Sequence, residues 1–186
     1  MIKHRTAEEL EAGLDEIRQS PKDNGVLALI ARRPRSEERE VLQEAEISLN
    51  DGVVGDNWKV RGSTRTPDGR AHPELQLTLM NARVIALVAG EREHWALAGD
   101  QFYIDLDMSA ENVPSGTRLE LGTAIIEVTP HPHTGCKKFA ARFGPEATKF
   151  INSPVGRELQ LRGICARVIK PGLVRVGDVV RKSSAG

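Results

Sequence analysis

The sequence has little of what several functional classes require. Aromatic residues make up 4% of the chain, which is too few for a surface that stacks single-stranded nucleic acid. The 26 Lys and Arg residues balance the 26 Asp and Glu residues, so no net charge attracts nucleic acid. Neither the G-x-x-x-x-G-K-[ST] nor the G-x-G-x-x-G fingerprint occurs, which argues against the standard nucleotide-binding folds. We therefore expect no nucleic-acid partner.

Long apolar segments are also absent from the sequence. The longest runs, 26–31 and 84–90, are much shorter than the roughly 20 residues that a membrane helix needs. The stretch MIKHRTAEEL lacks the apolar core of a secretory signal. The only cysteines are Cys136 and Cys165, too few for a disulfide framework. These features predict a cytoplasmic protein with two free thiols and no membrane partner.

A T-x-x-E capping box at Thr6 and Glu9 predicts a short N-terminal helix. After this helix, strand patterns dominate the chain. Helices are predicted elsewhere only over 81–97 and 144–152. Strands are predicted at 25–33, 44–49, 76–79, 101–106, 118–129 (a hairpin), 164–169 and 174–180. Because few long helices separate these strands, we predict a mainly β fold: a closed or partly closed β-barrel with a few short peripheral helices.

No linker or internal repeat divides the chain, so we predict an N-terminal helical arm, 1–24, and a single barrel domain, 25–186. A polar stretch from 50 to about 73 interrupts the strand pattern. Long loops in compact domains often carry function. Three arginines of this loop are candidates for holding a phosphate or carboxylate, although a solvated loop is the alternative: Arg61, Arg65 and Arg70.

The segment HPHTGCKKF, 131–139, concentrates reactive side chains. Gly135 permits a sharp turn after the preceding strand, and such a turn exposes Cys136. Nearby positive charge favours the reactive thiolate form of a cysteine. Three cations follow Cys136 closely: Lys137, Lys138 and Arg142. The residues alone leave two interpretations open, a functional thiolate or a half-buried cysteine among solvated lysines.

Two other hypotheses concern the remaining candidate ligands. His131, His133 and Cys136 offer three ligands to zinc, but no second cysteine or histidine cluster completes a structural site, so zinc is not expected. The histidines are instead candidate proton carriers. Cys165 lies inside a predicted strand, and we expect it in the core because free cysteines are among the most buried residues.

Six motifs follow one another in a fixed order in the second half of the chain. They are G-[DE]-x-[FL] at 99–102, P-x-G-x-x-L-x-[IL]-G at 114–122, E-V-T at 127–129, the cysteine at 136, R-x-G at 142–144, and P-G-x-[IV]-x-x-G-D at 171–178. This order resembles the MOSC domain, the C-terminal domain of molybdenum cofactor sulfurases, which also occurs as stand-alone bacterial proteins. The resemblance covers about 50–180 and implies a β-barrel. AHPELQLTLMN replaces the usual H-G-G stretch, and Gln101 replaces the usual asparagine.

The resemblance also implies one functional cysteine, and Cys136 stands at its position. In the family this thiol ligates the molybdenum of a bound molybdopterin or carries sulfur as a persulfide. Members related to the mitochondrial amidoxime-reducing component reduce N-hydroxylated compounds. The first role implies a molybdenum-cofactor-dependent oxidoreductase in which Asp100 and His133 carry protons or orient other groups. The candidate cofactor-binding residues are Lys137, Lys138, Arg142, Gln101 and Arg65.

Two alternatives stay open beside the oxidoreductase. In the first, Cys136 accepts sulfur from a cysteine desulfurase and holds it as a persulfide for the assembly of a metal-sulfur cofactor. In the second, the domain is a non-catalytic binding module whose thiol is structural. A small-molecule substrate or cofactor, a redox partner and a homodimer are further expectations.

Overall fold

The computed structural model describes residues 2–184, in which eleven strands and seven α-helices form. The strands are β1 (Gly25–Arg32), β2 (Glu40–Leu42), β3 (Glu44–Ser48), β4 (Gly52–Val53), β5 (Leu77–Asn81), β6 (Phe102–Asp105), β7 (Arg118–Leu121), β8 (Ala124–Val128), β9 (Ile164–Lys170), β10 (Gly172–Arg175) and β11 (Val179–Lys182). The helices are α1 (Ala7–Ala12), α2 (Leu14–Arg18), α3 (Trp58–Arg61), α4 (Ala82–Ala89), α5 (Lys137–Phe143), α6 (Pro145–Asn152) and α7 (Pro154–Glu158). Two 3₁₀-helices lie at Pro73–Leu75 and Arg92–Ala98.

Seven strands close into a barrel in the order β11-β7-β8-β9-β5-β6-β1, and β1 pairs again with β11. Every neighbouring pair is antiparallel except β5 and β6, which are connected through α4 and the second 3₁₀-helix and run parallel. Closure leaves the barrel strands without a free edge along the ring. The prediction of a mainly β fold with a barrel and a few short helices is therefore confirmed.

Apolar side chains fill the barrel and a second layer outside it. Along β8, Ala124, Ile126 and Val128 are buried while the residues between them are half-buried, as expected for alternate side chains on opposite faces. A second apolar cluster packs the outer helices against the sheet, and it includes Leu10, Val88, Phe139 and Phe143. No helix among residues 2–184 is long and apolar enough to cross a membrane.

The capping box of the N-terminal helix forms as predicted, with Thr6 and Glu9 exchanging backbone–side-chain hydrogen bonds at 2.8 and 3.2 Å. The helical segment is nevertheless divided at Gly13 into α1 and α2. The division into an arm, 1–24, and a barrel domain, 25–186, stays a prediction. Met1, Ala185 and Gly186 fall within those two ranges but lie outside the described residues.

The single strand predicted over 174–180 is wrong, because two strands of different sheets replace it. The first, β10, pairs with β3 in a three-stranded sheet, whereas β11 closes the barrel. Between them Gly177 adopts a positive φ of 94°, and the Asp178 carboxylate accepts a hydrogen bond from the backbone N–H of Arg175 at 2.7 Å. The Gly-Asp pair thus forms a turn that carries the chain from one sheet to the other.

Candidate functional site

A cleft of about 340 Å³ opens beside the end of β1, the segment just before β6, and the first residues of β5 and β9. The 50–73 loop and α5 complete its walls, and Cys136 is one of the lining residues. Seven cationic side chains also line this cationic cleft: Arg33, Arg39, Arg61, Arg65, Lys138, Arg142 and Arg162. The barrel therefore gathers positive charge from distant segments around one thiol, although the chain has no net charge.

Four of these cations have carboxylate partners. Asp56 pairs with Arg33, Asp100 pairs with Arg162, and Glu37 pairs with both Lys138 and Arg142. The first two carboxylates are completely buried, whereas the Glu37 side chain is 60% exposed. Within residues 2–184 the other three arginines, Arg39, Arg61 and Arg65, form no ion pair with a carboxylate.

Burial and the crowding of positive charge lower the pKa of two of these three arginines. Burial, together with the charges of Arg142 and Arg33, lowers the pKa of Arg39. Burial and the charge of Arg33 lower the pKa of Arg61 as well. Both side chains stay protonated near pH 7, so the cleft holds positive charge against mutual repulsion. A bound anion would relieve that repulsion, which makes the cleft suited to a phosphate or carboxylate group.

A buried ion pair forms the floor of the cleft. Arg162 donates from Nη1 to Asp100 Oδ2 at 2.7 Å and from Nη2 to the Ala98 carbonyl at 3.1 Å. Its guanidinium lies over the Phe139 ring, 5.1 Å from the centroid. Burial raises the pKa of Asp100, although the charge and hydrogen bond of Arg162 act in the opposite direction.

The structure brings the predicted residues His133 and Asp100 together. His133 Nδ1 lies 3.5 Å from Asp100 Oδ1, the carboxylate oxygen that Arg162 does not bind. Burial, followed by the positive charges of Arg162, Arg33 and Arg65, holds the pKa of His133 well below its ordinary value. The imidazole is therefore neutral near pH 7, with a carboxyl group of raised pKa beside it.

His133 and Arg162 also border a second cavity, of about 460 Å³. Its other lining residues come mainly from 128–134 and from the region between α6 and β9. Cys165 borders both cavities. The 131–134 segment thus separates two spaces of small-molecule size that share His133 and Arg162 in their walls.

The two cysteines differ sharply in their surroundings. Cys136 is exposed and occupies the N-cap position of α5. Cys165 is 1% exposed, as expected for a core residue, and burial raises its pKa to about 12. The turn before Cys136 uses Gly135 for close approach, because a Cβ there would lie 2.8 Å from Ile151 Cδ1. Both thiols are free.

The structure separates the predicted cofactor-binding residues into two groups. Lys138, Arg142 and Arg65 line the cleft, but Lys137 does not, although it precedes Lys138 on the same helix. Gln101 is 1% exposed and does not line the cleft either. Its Oε1 accepts hydrogen bonds from the Thr78 backbone N–H at 2.9 Å and hydroxyl at 2.7 Å, which fixes β5 beside β6.

The three ligands considered for zinc do not form a common site among the described residues. His131 instead approaches Glu74 and His72, while His133 faces Asp100 and Cys136 lies in the cleft wall. Sequence reasoning also missed three cleft arginines, Arg33, Arg39 and Arg162. They lie far from Cys136 in sequence, so no local pattern identifies them.

Comparisons with known proteins identify the fold. The family model of the MOSC domain matches residues 72–181. YuaD from Bacillus subtilis superimposes with a TM-score of 0.60 at 15% identity, covering 84% of this chain and 93% of that one. YiiM from Escherichia coli superimposes with a TM-score of 0.56 at 18% identity, covering 87% of this chain and 71% of that one. YiiM from Geobacillus stearothermophilus superimposes with a TM-score of 0.58 at 13% identity, covering 87% of this chain and 76% of that one. No curated protein matches the sequence significantly.

Proposed function

Because this chain belongs to the MOSC domain family, we propose that it binds the molybdenum cofactor in the cationic cleft, with Cys136 as the ligand to the metal. The reaction we propose is the two-electron reduction of N-hydroxylated or similar small molecules. A redox partner protein would supply the two electrons; as the N–O bond breaks, one proton would go to nitrogen and one to the leaving hydroxide, which gives water. One observation carries the proposal: three arginines that have no carboxylate partner among residues 2–184 share a cleft of about 340 Å³ with an exposed cysteine. A cleft of this composition suits a ligand that joins a phosphate to a thiophilic metal.

The donor set of the cleft fits this cofactor. A soft thiolate suits such a metal better than hard oxygen ligands do. Arg39, Arg61 and Arg65 would hold the phosphate of the pterin through charge-assisted hydrogen bonds. Arg39 Nε is buried and has no hydrogen-bond partner within residues 2–184, and a buried donor left unpaired costs about 1–3 kcal/mol. A phosphate oxygen would satisfy this donor.

The residues around Cys136 would have separate roles in the reaction. When bound, the cofactor supplies two-electron redox chemistry. Arg162 fixes Asp100 through one oxygen, which leaves the other oxygen beside His133 Nδ1. A proton would pass between these two groups toward substrate in the cavity of about 460 Å³, because His133 borders both spaces. These side chains would thereby hold a proton donor next to the cleft.

Metal analysis tests the proposal directly. Protein purified from a host that makes molybdopterin should contain close to one molybdenum per chain, and Cys136→Ala should contain only background metal. The double variant Arg39→Ala/Arg61→Ala should lose most of the metal because the phosphate loses its hydrogen-bond donors. Lys137→Ala is the matched control, since this neighbouring cation lies outside the cleft. Wild-type protein with no more molybdenum than Cys136→Ala would overturn the proposal.

A second candidate function is sulfur carriage, which the exposure of Cys136 favours. The Cys136 thiolate would attack the outer sulfur of a desulfurase persulfide, and the desulfurase thiolate would leave as the sulfur–sulfur bond breaks. Mass spectrometry after incubation with a cysteine desulfurase should then show one added sulfur atom in wild-type protein and none in Cys136→Ala. An unmodified wild-type chain would argue against this function. Sulfur addition without bound molybdenum would favour it over the first.

A further inference from the structure

Three side chains with metal-binding groups meet outside the cationic cleft. One possible ligand atom from each of His72, Glu74 and His131 lies within 4.8 Å of the other two. His131 Nδ1 is 3.4 Å from Glu74 Oε2, and the two imidazole rings are 4.6 Å apart in an edge-to-face arrangement. None of the three side chains is fully exposed. The 72–75 turn and the 130–132 segment, which are far apart in sequence, thus bring three ligands together.

The backbone of each ligand segment is held in place. The His72 carbonyl accepts a hydrogen bond from Trp58 Nε1 at 3.3 Å, and the Glu74 carbonyl accepts one from Thr129 Oγ1 at 2.7 Å. His131 lies between two prolines, whose rings fix φ on either side of it. Backbone order of this kind reduces the conformational entropy that a metal ion would otherwise have to offset.

Two imidazoles and a carboxylate form a known ligand set for divalent transition metals. Zinc binds such three-ligand sets with a fourth position left for water or substrate. Bond lengths of about 2.0–2.1 Å in a tetrahedron place two ligand atoms roughly 3.3–3.4 Å apart. The separation of 3.4 Å between His131 Nδ1 and Glu74 Oε2 already has this value. The three ligand atoms lie within 4.8 Å of one another, so a bound ion would draw the third ligand inward. If Nδ1 of His72 binds the ion, the ion replaces the hydrogen bond that this atom accepts from the Glu74 backbone.

We propose that His72, Glu74 and His131 bind one divalent transition-metal ion of the zinc type. The site is distinct from Cys136 and does not depend on the molybdenum cofactor. The ion would join the loop that carries Arg61 and Arg65 to the segment that carries His133 and Cys136. Because both segments contribute side chains to the cleft wall, the ion would hold these two parts of the wall in a fixed arrangement.

Calorimetric titration of the full chain with Zn²⁺ at pH 7 tests the site. The experiment uses the Cys136→Ser background, so that the exposed thiol contributes nothing. We expect one ion per chain, and we expect Glu74→Gln and His131→Ala each to weaken binding by at least about tenfold, the lower end of the loss seen for residues that only support a ligand. His4→Ala, which removes an exposed histidine outside the cluster, should leave the affinity unchanged.

Cobalt provides a second readout of the same site. Co²⁺ bound by nitrogen and oxygen ligands in a four-coordinate site should give visible d–d absorption without a thiolate charge-transfer band. That absorption should disappear in His72→Ala. Urea unfolding in EDTA should show that Glu74→Gln, a nearly isosteric change of a half-buried side chain, remains folded. The proposal is overturned if no stoichiometric binding occurs, if Cys136→Ser abolishes binding, or if all three ligand variants bind as the parent does.

Discussion

Replacing Asp56 by asparagine should destabilise the protein by about 3–5 kcal/mol, the usual cost of removing one partner of a buried ion pair. The Asp56 side chain is 0% exposed and that of Arg33 is 11% exposed. The carboxylate accepts three hydrogen bonds from Arg33, at 2.8, 3.0 and 2.9 Å, and one from the Trp58 backbone at 2.9 Å. An amide keeps one acceptor but turns a donor toward the guanidinium, so Arg33 loses its counter-ion inside the protein.

The destabilisation caused by Asp56→Asn should depend on pH in a definite direction. Burial alone would raise the pKa of Asp56, but the hydrogen bonds and charge of Arg33 outweigh burial and lower it. A carboxyl group with a lowered pKa in the folded state stabilises the fold above its unfolded pKa of roughly 4. That contribution is lost as the pH falls through the folded pKa. The difference between wild type and Asp56→Asn should therefore be largest at neutral pH and shrink in acid.

Urea unfolding at pH 7 and in the acid range measures both effects. Asp51→Asn is the matched control, because Asp51 forms an exposed ion pair with Lys59 and should cost less than about 1 kcal/mol. Adding Arg33→Gln to Asp56→Asn should cost less than the sum of the two single changes, since the double variant leaves no unpaired charge. A loss below about 1 kcal/mol for Asp56→Asn, or an equal loss at both pH values, would refute this reasoning.

Three further predictions concern the thiols, the charge of the cleft and the backbone next to Arg162. Iodoacetamide should label Cys136 much faster than Cys165 at neutral pH, because the second thiol is buried and protonated; equal rates by peptide mapping would contradict this. Glu37→Gln should tighten the binding of inorganic pyrophosphate and steepen its salt dependence, because the change frees two cations on α5; an unchanged calorimetric affinity would count against it. In urea unfolding, Gly163→Ala should lower the free energy of unfolding more than Gly116→Ala does. Both glycines have a positive φ, but a Cβ at Gly163 would also lie 2.1 Å from a backbone oxygen. Equal losses of stability would contradict the steric explanation.

Much of the barrel could be predicted from the sequence because its signals are local. The strands β1, β3 and β9 and the hairpin of β7 and β8 all follow from apolar residues bounded by turn signals. The 174–180 segment shows the limit of this reasoning. Its apolar residues continue through the Gly-Asp turn, so the pattern alone does not show that the chain changes sheets there.

The site was only partly predictable, for a different physical reason. Cys136 stands out because the neighbouring reactive residues occupy one segment. Arg33, Arg39 and Arg162 approach it only through strand pairing across the barrel, which has no sequence signature of its own. Adjacent residues on a helix also point about 100° apart, and the sequence does not show that Lys138 rather than Lys137 faces the cleft.

The cationic cleft can form only once the barrel has closed. Arg33 directly follows β1 and Arg162 precedes β9, so the cleft contains groups from opposite ends of the chain. Contacts between segments so distant in sequence carry a large loop-closure entropy and therefore form slowly. A ligand that needs these arginines can therefore bind only after the barrel has formed, and it then stabilises the folded chain by mass action. If the cleft binds such a ligand, binding would follow folding, and newly folded protein would first have an empty, positively charged cleft.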